Sequence, residues 1–300
     1  MNDMPELPLQ WGAEALWEQL TPQLPGLSVE VVARIASTNT ALLDRARIIT
    51  EPEDGNLIRV RRSVESSAFG RRSDDLQPCL LVAEHQTAGR GRQGRVWQAA
   101  PGASLTFSLA LPLAPSDWSG LSLAVGVALA NALDPLADGA PPRIGVKWPN
   151  DLWLVDDAGP GRKLGGILIE TVAAGTRRLA VIGVGLNVLP LAIHDGGTGF
   201  ACIQELDPAA SAPQVLATVA KPLVDALLQF EREGFAAFAQ AFAARDLLYR
   251  RPVSTTQADV AEGVAMGVSP SGELLVHTAD GVMPVSSGEV SVRLKGDAAC

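Results

Sequence analysis

Cysteine is scarce in this chain: three of its 300 residues, Cys79, Cys202 and Cys300. They are scattered and odd in number. They form neither a metal-ligand spacing nor a disulfide framework, and they fit a reducing cytoplasm. Basic residues are also outnumbered, 24 Lys and Arg against 33 Asp and Glu, for a formal net charge of −9. That balance argues against general binding to nucleic acid or to an anionic membrane surface. No apolar run has transmembrane length and no N-terminal signal pattern is present, which predicts a soluble, cytoplasmic protein. No G-x-x-x-x-G-K-[ST] phosphate loop occurs, and no internal repeat is visible. Apolar residues, by contrast, are abundant: 47% of the chain is hydrophobic, ample for one large domain plus a small one.

The most informative stretch runs from Glu84 to Trp97, where Gly89, Arg90, Gly91, Arg92, Gln93, Gly94 and Arg95 are consecutive. Glycines let a backbone approach a ligand closely, and arginines offer fixed forks of donors to carboxylates and phosphates. A flexible loop of this kind is suited to close over an anionic small molecule. Gly89 to Gly94 also spells G-x-G-x-x-G, but a dinucleotide fingerprint must open a helix. Here a Pro-Gly turn at Pro101-Gly102 and a strand-like run from Ser104 to Leu109 follow instead.

The rest of the chain divides readily. Residues 1–27 form a Pro-rich N-terminal extension with one short amphipathic candidate, Ala13 to Leu20, too little for a helix-turn-helix. Val29 to Ile35 reads as a strand, and Ser37-Thr38-Asn39 as helix-capping residues or as site residues. Residues 50–77 read as a long inserted loop, whose Arg59, Arg61, Arg62, Arg71 and Arg72 are solvated. Leu121 to Leu133 is too apolar for a surface helix and predicts a buried one. Strands are expected at 143–147, 152–155, 164–170 and 178–187, the last with interior Gly183 and Gly185 that mark close approach by a ligand or another backbone. A helix is expected from Pro213 to Glu233, kinked at Pro222. From about Tyr249, short alternating runs separated by Ser-Gly and Asp-Gly turns predict a small five-stranded module.

Two further clusters carry chemistry. Lys147-Trp148-Pro149-Asn150-Asp151 places a cation, an indole, a rigid turn and a carboxylate at one strand end. Lys163-Leu164-Gly165-Gly166-Ile167-Leu168 brings a lysine into a strand whose paired glycines leave room beside it, a candidate holder of a carboxylate.

Together these segments, with Gly183-Val184-Gly185-Leu186-Asn187 and the tail motif Gly288 to Arg293, resemble the biotin–protein ligases in content and order, over about residues 28 to 295. The resemblance implies an α+β fold: a class II synthetase-like mixed sheet with helices on one side, over residues 28–248, and an SH3-like barrel over 249–300. It implies that biotin and ATP, with Mg²⁺, give biotinyl-5′-AMP and pyrophosphate. The biotinyl group then passes to a lysine of a biotin carboxyl carrier domain, commonly of acetyl-CoA carboxylase. Lys163 is expected to bind the biotin carboxylate and then the phosphate linkage. Arg90 and Arg92, with Gly89 and Gly91, are expected on a loop that orders over the ligand. Ser37, Thr38, Asn39 and Gln86 are expected to satisfy the ureido ring, with Gly165, Gly166 and Leu168 as the floor. Arg95, Trp97, Asn187, Glu289 and Arg293 fall to the nucleotide. Asp151 falls to the acceptor lysine or to Mg²⁺. Dimerisation through the catalytic sheet is common in the family.

Departures are the insert at 50–77, extra residues around Asp157 to Gly161, and Ser254 where some members carry lysine. No room is seen for the N-terminal DNA-binding domain of bifunctional members, so an enzyme without a DNA role is expected. A lipoate–protein ligase shares the scaffold but leaves the polar Ser-Thr-Asn/Gln set unexplained. A nucleotide-binding oxidoreductase needs a helix after Gly94. A non-catalytic regulator would leave Lys163 and the arginine loop superfluous.

Overall fold

The computed structural model describes residues 9–47, 65–69, 76–137, 139–155, 161–174, 177–191, 199–288 and 290–294. Eight strands form the main sheet: β1 (Ser28–Ile35), β2 (Glu65–Phe69), β3 (Cys79–Gln86), β4 (Ser104–Leu113), β5 (Ile144–Lys147), β6 (Asp151–Leu154), β7 (Arg162–Ala174) and β8 (Arg177–Asn187). Their order is β2-β1-β3-β4-β8-β7-β6-β5. β1 and β3 are parallel; the other neighbours are antiparallel. The sheet is therefore mixed, as expected.

Alternation along β3 shows how the sheet is sandwiched. Leu80 and Val82 enter the larger core with residues of α1 (Ala13–Leu20), α3 (Leu121–Leu133) and α4 (Ala212–Glu233). Cys79, Leu81 and Ala83 join Leu42, Leu43 and Ala46 of α2 (Thr38–Arg47) on the opposite face. Helices thus cover both faces, which corrects the one-sided expectation. The helix that starts from Ser37-Thr38-Asn39 is the one on the second face. α4 passes Pro222 as one continuous helix. A further short helix, α5 (Ala239–Ala243), leads to the C-terminal module.

Residues before β1 belong to the main core. Trp11, Leu16, Leu20, Leu24 and Leu27 are buried there, and Trp11 Nε1 donates to Glu84 Oε1 at 3.0 Å. The insert also contributes structure: β2, inside it, pairs antiparallel with β1 at the sheet edge. The five arginines of the insert, Cys300 and Asp157 to Pro160 lie outside the described residues.

The C-terminal module contains β9 (Pro252–Thr255), β10 (Glu262–Val268), β11 (Leu274–Thr278), β12 (Gly281–Val285) and β13 (Val292–Leu294), ordered β12-β11-β10-β9-β13. Its buried Val253, Ala265, Val276 and Leu294 are continuous with the main core. Trp148 Nε1 donates to the Gly272 carbonyl at 3.0 Å across the junction. A Cβ on Gly272 would lie 2.8 Å from Gly120 Cα, so the module abuts the start of α3 at a distance only glycine permits.

Asp246, on the link between the two parts, has a carboxyl pushed up to about 6 by burial, although the backbone N–H of Leu248 donates to it. Its folded pKa lies above the unfolded value, so the unfolded chain releases this proton first as pH rises. The contribution of this group to stability is greatest below pH 4 and is lost as pH rises through 6. Asp246→Asn is expected to remove that dependence and to raise stability at pH 8 by about 1–3 kcal/mol. Denaturant unfolding at pH 5 and 8 checks this; equal stability of both variants at pH 8 would contradict it.

Candidate active site

A cavity of about 440 Å³ opens on the sheet where β3, β7 and β8 meet the Gly89–Trp97 loop. That size suits a small-molecule site. Arg90, Arg92 and Lys163 all line it.

One wall comes from the β1–α2 junction. The Thr40 backbone N–H approaches Ser37 Oγ at 3.4 Å, so Ser37 caps α2 and lines the cavity at once. Thr38 donates to Gln86 Oε1 through its backbone N–H (2.7 Å) and its hydroxyl (3.1 Å). Ser108 Oγ sits 2.6 Å from both Thr38 Oγ1 and Asn39 Oδ1. Asn39 Nδ2 donates to the Leu168 carbonyl (3.1 Å) and to Glu170 Oε2 (3.0 Å). Asn39 is thus fully bonded inside the protein. Among the described residues, the Ser37 hydroxyl proton and Gln86 Nε2 are left without partners. Gly183 makes this arrangement possible, because a Cβ there would overlap the Asn39 amide.

Opposite lies the arginine loop, a small hairpin. Arg90 bridges Val96, Gly91 N–H donates to the Arg95 carbonyl at 2.7 Å, and Trp97 N–H donates to the Gly89 carbonyl at 2.9 Å. The tip is a single 3-10 turn, Arg92–Gly94, not a helix, with Gln93 at φ 57° and Gly94 at φ 70°. The dinucleotide fingerprint therefore fails. Each arginine has a distinct anchor. Arg90 pairs with Glu170 at 2.9 Å. Arg92 donates to the carbonyls of Ser287, Gly288 and Val290 and approaches Asn150 Oδ1 at 3.4 Å. Arg95 donates to Ser291 Oγ at 2.8 Å. Burial lowers the Arg92 pKa, with Asp151 opposing and Arg95 adding to that shift. A guanidinium nonetheless stays charged at any working pH.

Lys163 enters from β7. Its Nζ lies 3.1 Å from Asp151 Oδ1 and 5.9 Å from the centroid of the Trp97 ring. The Lys163 backbone is held by Ala201 N–H at 2.9 Å and by Asn187 Nδ2 at 3.2 Å, and Asn187 also donates to the Ala201 carbonyl at 3.0 Å. Asn187 thus positions Lys163 while lining the cavity. Trp97 lies against Gly185, where a Cβ would sit 2.5 Å from the indole. Its buried Nε1 has no partner among the described residues. Asp151 is the one carboxylate among the described lining residues, and no cluster of three or more metal-ligating side chains occurs among them. That donor set suits Mg²⁺, which takes one or two carboxylates and otherwise phosphate oxygens and water.

The lining also includes Gly91, Arg95, Gly166, Leu168 and Arg293. Two glycines require correction. Gly165 is not on the wall: it faces β8, where a Cβ would lie 2.7 Å from the Gly185 carbonyl. Gly89 is likewise off the wall, kept small by the Trp97 carbonyl 2.7 Å from where its Cβ would be. Glu289 lies outside the described residues. Sequence reasoning missed Ser108 and Glu170, and gave Asn150 no role beyond the turn at the end of its strand. Ser108 continues the buried, alternating hydroxyls Ser104 and Thr106 along β4, and Glu170 is a lone charge ending the run Ile167-Leu168-Ile169. Polar interruptions of buried strands are the signal that marked them.

Comparison with known proteins agrees with this geometry. Residues 71–187 match the biotin/lipoate A/B protein ligase family, and residues 251–293 the biotin protein ligase C terminal domain. The chain is 34% identical over 283 residues to the bifunctional ligase/repressor BirA of Escherichia coli, covering 92% of this chain and 77% of that protein. It is 30% identical over 289 residues to the biotin–[acetyl-CoA-carboxylase] ligase of Mycobacterium tuberculosis, covering 93% and 91%. The fold superposes on a biotin protein ligase from Aquifex aeolicus in complex with biotin and ATP, with a TM-score of 0.65, 24% identity, and coverage of 89% and 99%. By sequence and architecture, the chain belongs to the biotin protein ligase family.

Proposed function

We propose that the protein is an ATP-dependent biotin–[acetyl-CoA-carboxylase] ligase. The observation that carries this is the convergence, on one cavity, of Lys163, the arginine hairpin and the Ser37-Thr38-Gln86 polar wall. In the first step a biotin carboxylate oxygen attacks the α-phosphorus of ATP; the P–O bond to pyrophosphate breaks and biotinyl-5′-AMP forms. Two anions must meet, and charge builds at phosphorus, so fixed cations lower the barrier. Lys163 holds the carboxylate and then the phosphate linkage, with Arg92 and Arg95 above. Asp151 would hold Mg²⁺, which offsets polyphosphate charge when bound. Trp97 offers its ring face to the adenylate, and Arg293 serves the nucleotide. The Ser37 hydroxyl and Gln86 Nε2 are free to donate to the ureido carbonyl, while Asn39 keeps the wall in place. In the second step the amine of a carrier-domain lysine attacks the acyl carbon and AMP leaves. Where Asp151 is not committed to Mg²⁺, it is the group that takes the proton the amine must lose.

The test mixes purified protein, ATP and Mg²⁺ with biotin or lipoate, then follows pyrophosphate release and label transfer to a carrier domain. Biotin-dependent transfer is expected; turnover with lipoate alone would overturn the proposal. The glycine under Asn39 gives a second check. Gly183→Ala is expected to push Asn39 aside and weaken biotin binding about tenfold or more, since overpacking typically costs 1–3 kcal/mol. Wild-type affinity by calorimetry in a folded Gly183→Ala variant would contradict the role given to Asn39.

A further inference from the structure

The polar wall and the arginine hairpin are not independent: hydrogen bonds and one ion pair join them without a break. Gln86 is bonded to Thr38, Thr38 and Asn39 share Ser108, and Asn39 reaches Glu170, whose two oxygens lie 3.1 and 2.9 Å from Arg90 Nη2. Glu170 is the junction. It accepts at once from Asn39, fixed in the core, and from Arg90 on the hairpin, 80 positions before it in sequence. Its side chain is 27% exposed and that of Arg90 is 43% exposed, so the pair sits at the rim of the cavity, where it can open and close. Glu170 does not itself line the cavity.

We infer that Glu170 is a positioning residue that registers the arginine hairpin to the ring-binding wall. This rests on the reading of the cavity as a biotin site. Its carboxylate supplies the counter-charge that keeps Arg90 over the cavity before any anion arrives. Through Asn39 it also makes the posture of the hairpin depend on the packing of the wall. Among the described residues, Arg90 is the one hairpin guanidinium anchored to the catalytic sheet by an ion pair, while Arg92 and Arg95 bond chiefly to the C-terminal module. The two anchors therefore act on different sides of the hairpin, and loss of Glu170 releases only the first.

The exchange measurement needs no turnover, so its failure is separable from failure of the ligase assignment. Hydrogen exchange of residues 89–97 is measured in the ligand-free protein for the wild type, Glu170→Gln, Arg90→Ala and the double variant. Glu170→Gln keeps an oxygen for Asn39 and loses the charge. It is expected to speed exchange of the hairpin about two- to fivefold, the range an exposed ion pair supports, with an unchanged melting temperature. Arg90→Ala should match it, and the double variant should exchange no faster than either single one. In parallel, Glu170→Gln should leave the KM for biotin within about twofold of wild type while Glu170→Ala, which also frees Asn39, raises it further. Wild-type exchange in Glu170→Gln, additive effects in the double variant, or an unaltered KM in Glu170→Ala would each overturn the inference.

Discussion

Lys163→Ala is expected to weaken biotin binding about 10- to 150-fold, the loss that follows when a charge-assisted hydrogen bond worth about 1.5–3 kcal/mol is removed. Two effects act together. The carboxylate loses its ammonium partner, and Asp151, now without the cation 3.1 Å away, presents an unbalanced negative charge to an incoming anion. Adenylate formation should fall further than binding, because the same ammonium faces charge that grows in the transition state; removal of one such donor typically costs about 10²–10³ in rate. The fold should survive, since the side chain stands at the rim of the cavity, 26% exposed. Titration calorimetry with biotin reads the first effect directly. An unchanged affinity would remove Lys163 from the site.

Arg92→Ala is expected to shorten the lifetime of bound biotinyl-5′-AMP by about tenfold or more. Arg92 fastens the tip of the hairpin to the carbonyls of Ser287, Gly288 and Val290, bridging the catalytic sheet and the C-terminal module over the cavity. A lid of this kind protects a reactive mixed anhydride from water and slows its escape. Arg90 and Arg95 keep their own anchors in the variant, so the hairpin stays in place at its sides and opens at its tip. The decay of enzyme-bound adenylate after rapid dilution provides the measurement. A half-life equal to that of the wild type would contradict the lid role.

The sequence made much of this visible, and physics explains which parts. Strand and helix positions followed from periodicity: Leu121–Leu133 and the strands from Ile144 to Asn187 fall where the apolar runs are. The arginine hairpin was legible because glycines and arginines alternate there for a chemical reason. Gly183 and Gly185 were legible as sites of close approach, and each proved to face a side chain of the site, Asn39 and Trp97. Gly165 and Gly89 were misplaced because a glycine needed for backbone-to-backbone contact has the same local signature as one that clears space for a ligand. The face chosen by α2 was hidden for a related reason: both faces of β3 are apolar, so alternation in sequence gives no preference. Ser108 and Glu170 interrupt apolar strands, which is a local mark, but their partners Asn39 and Arg90 lie 69 and 80 positions away, so the part they play is not legible locally. The strand at Glu65–Phe69 was hidden by its polar surroundings. An edge strand needs only one neighbour and little apolar content.

The most direct test of the account is the exchange of labelled pyrophosphate into ATP, catalysed by the purified protein with Mg²⁺, in the presence and absence of biotin. Exchange reports reversible adenylation within the cavity and requires no carrier protein. Label is expected to enter ATP only when biotin is present, and to fall about 10²-fold or more in Lys163→Ala. Exchange that proceeds equally without biotin, or that is supported by lipoate and not by biotin, would contradict it.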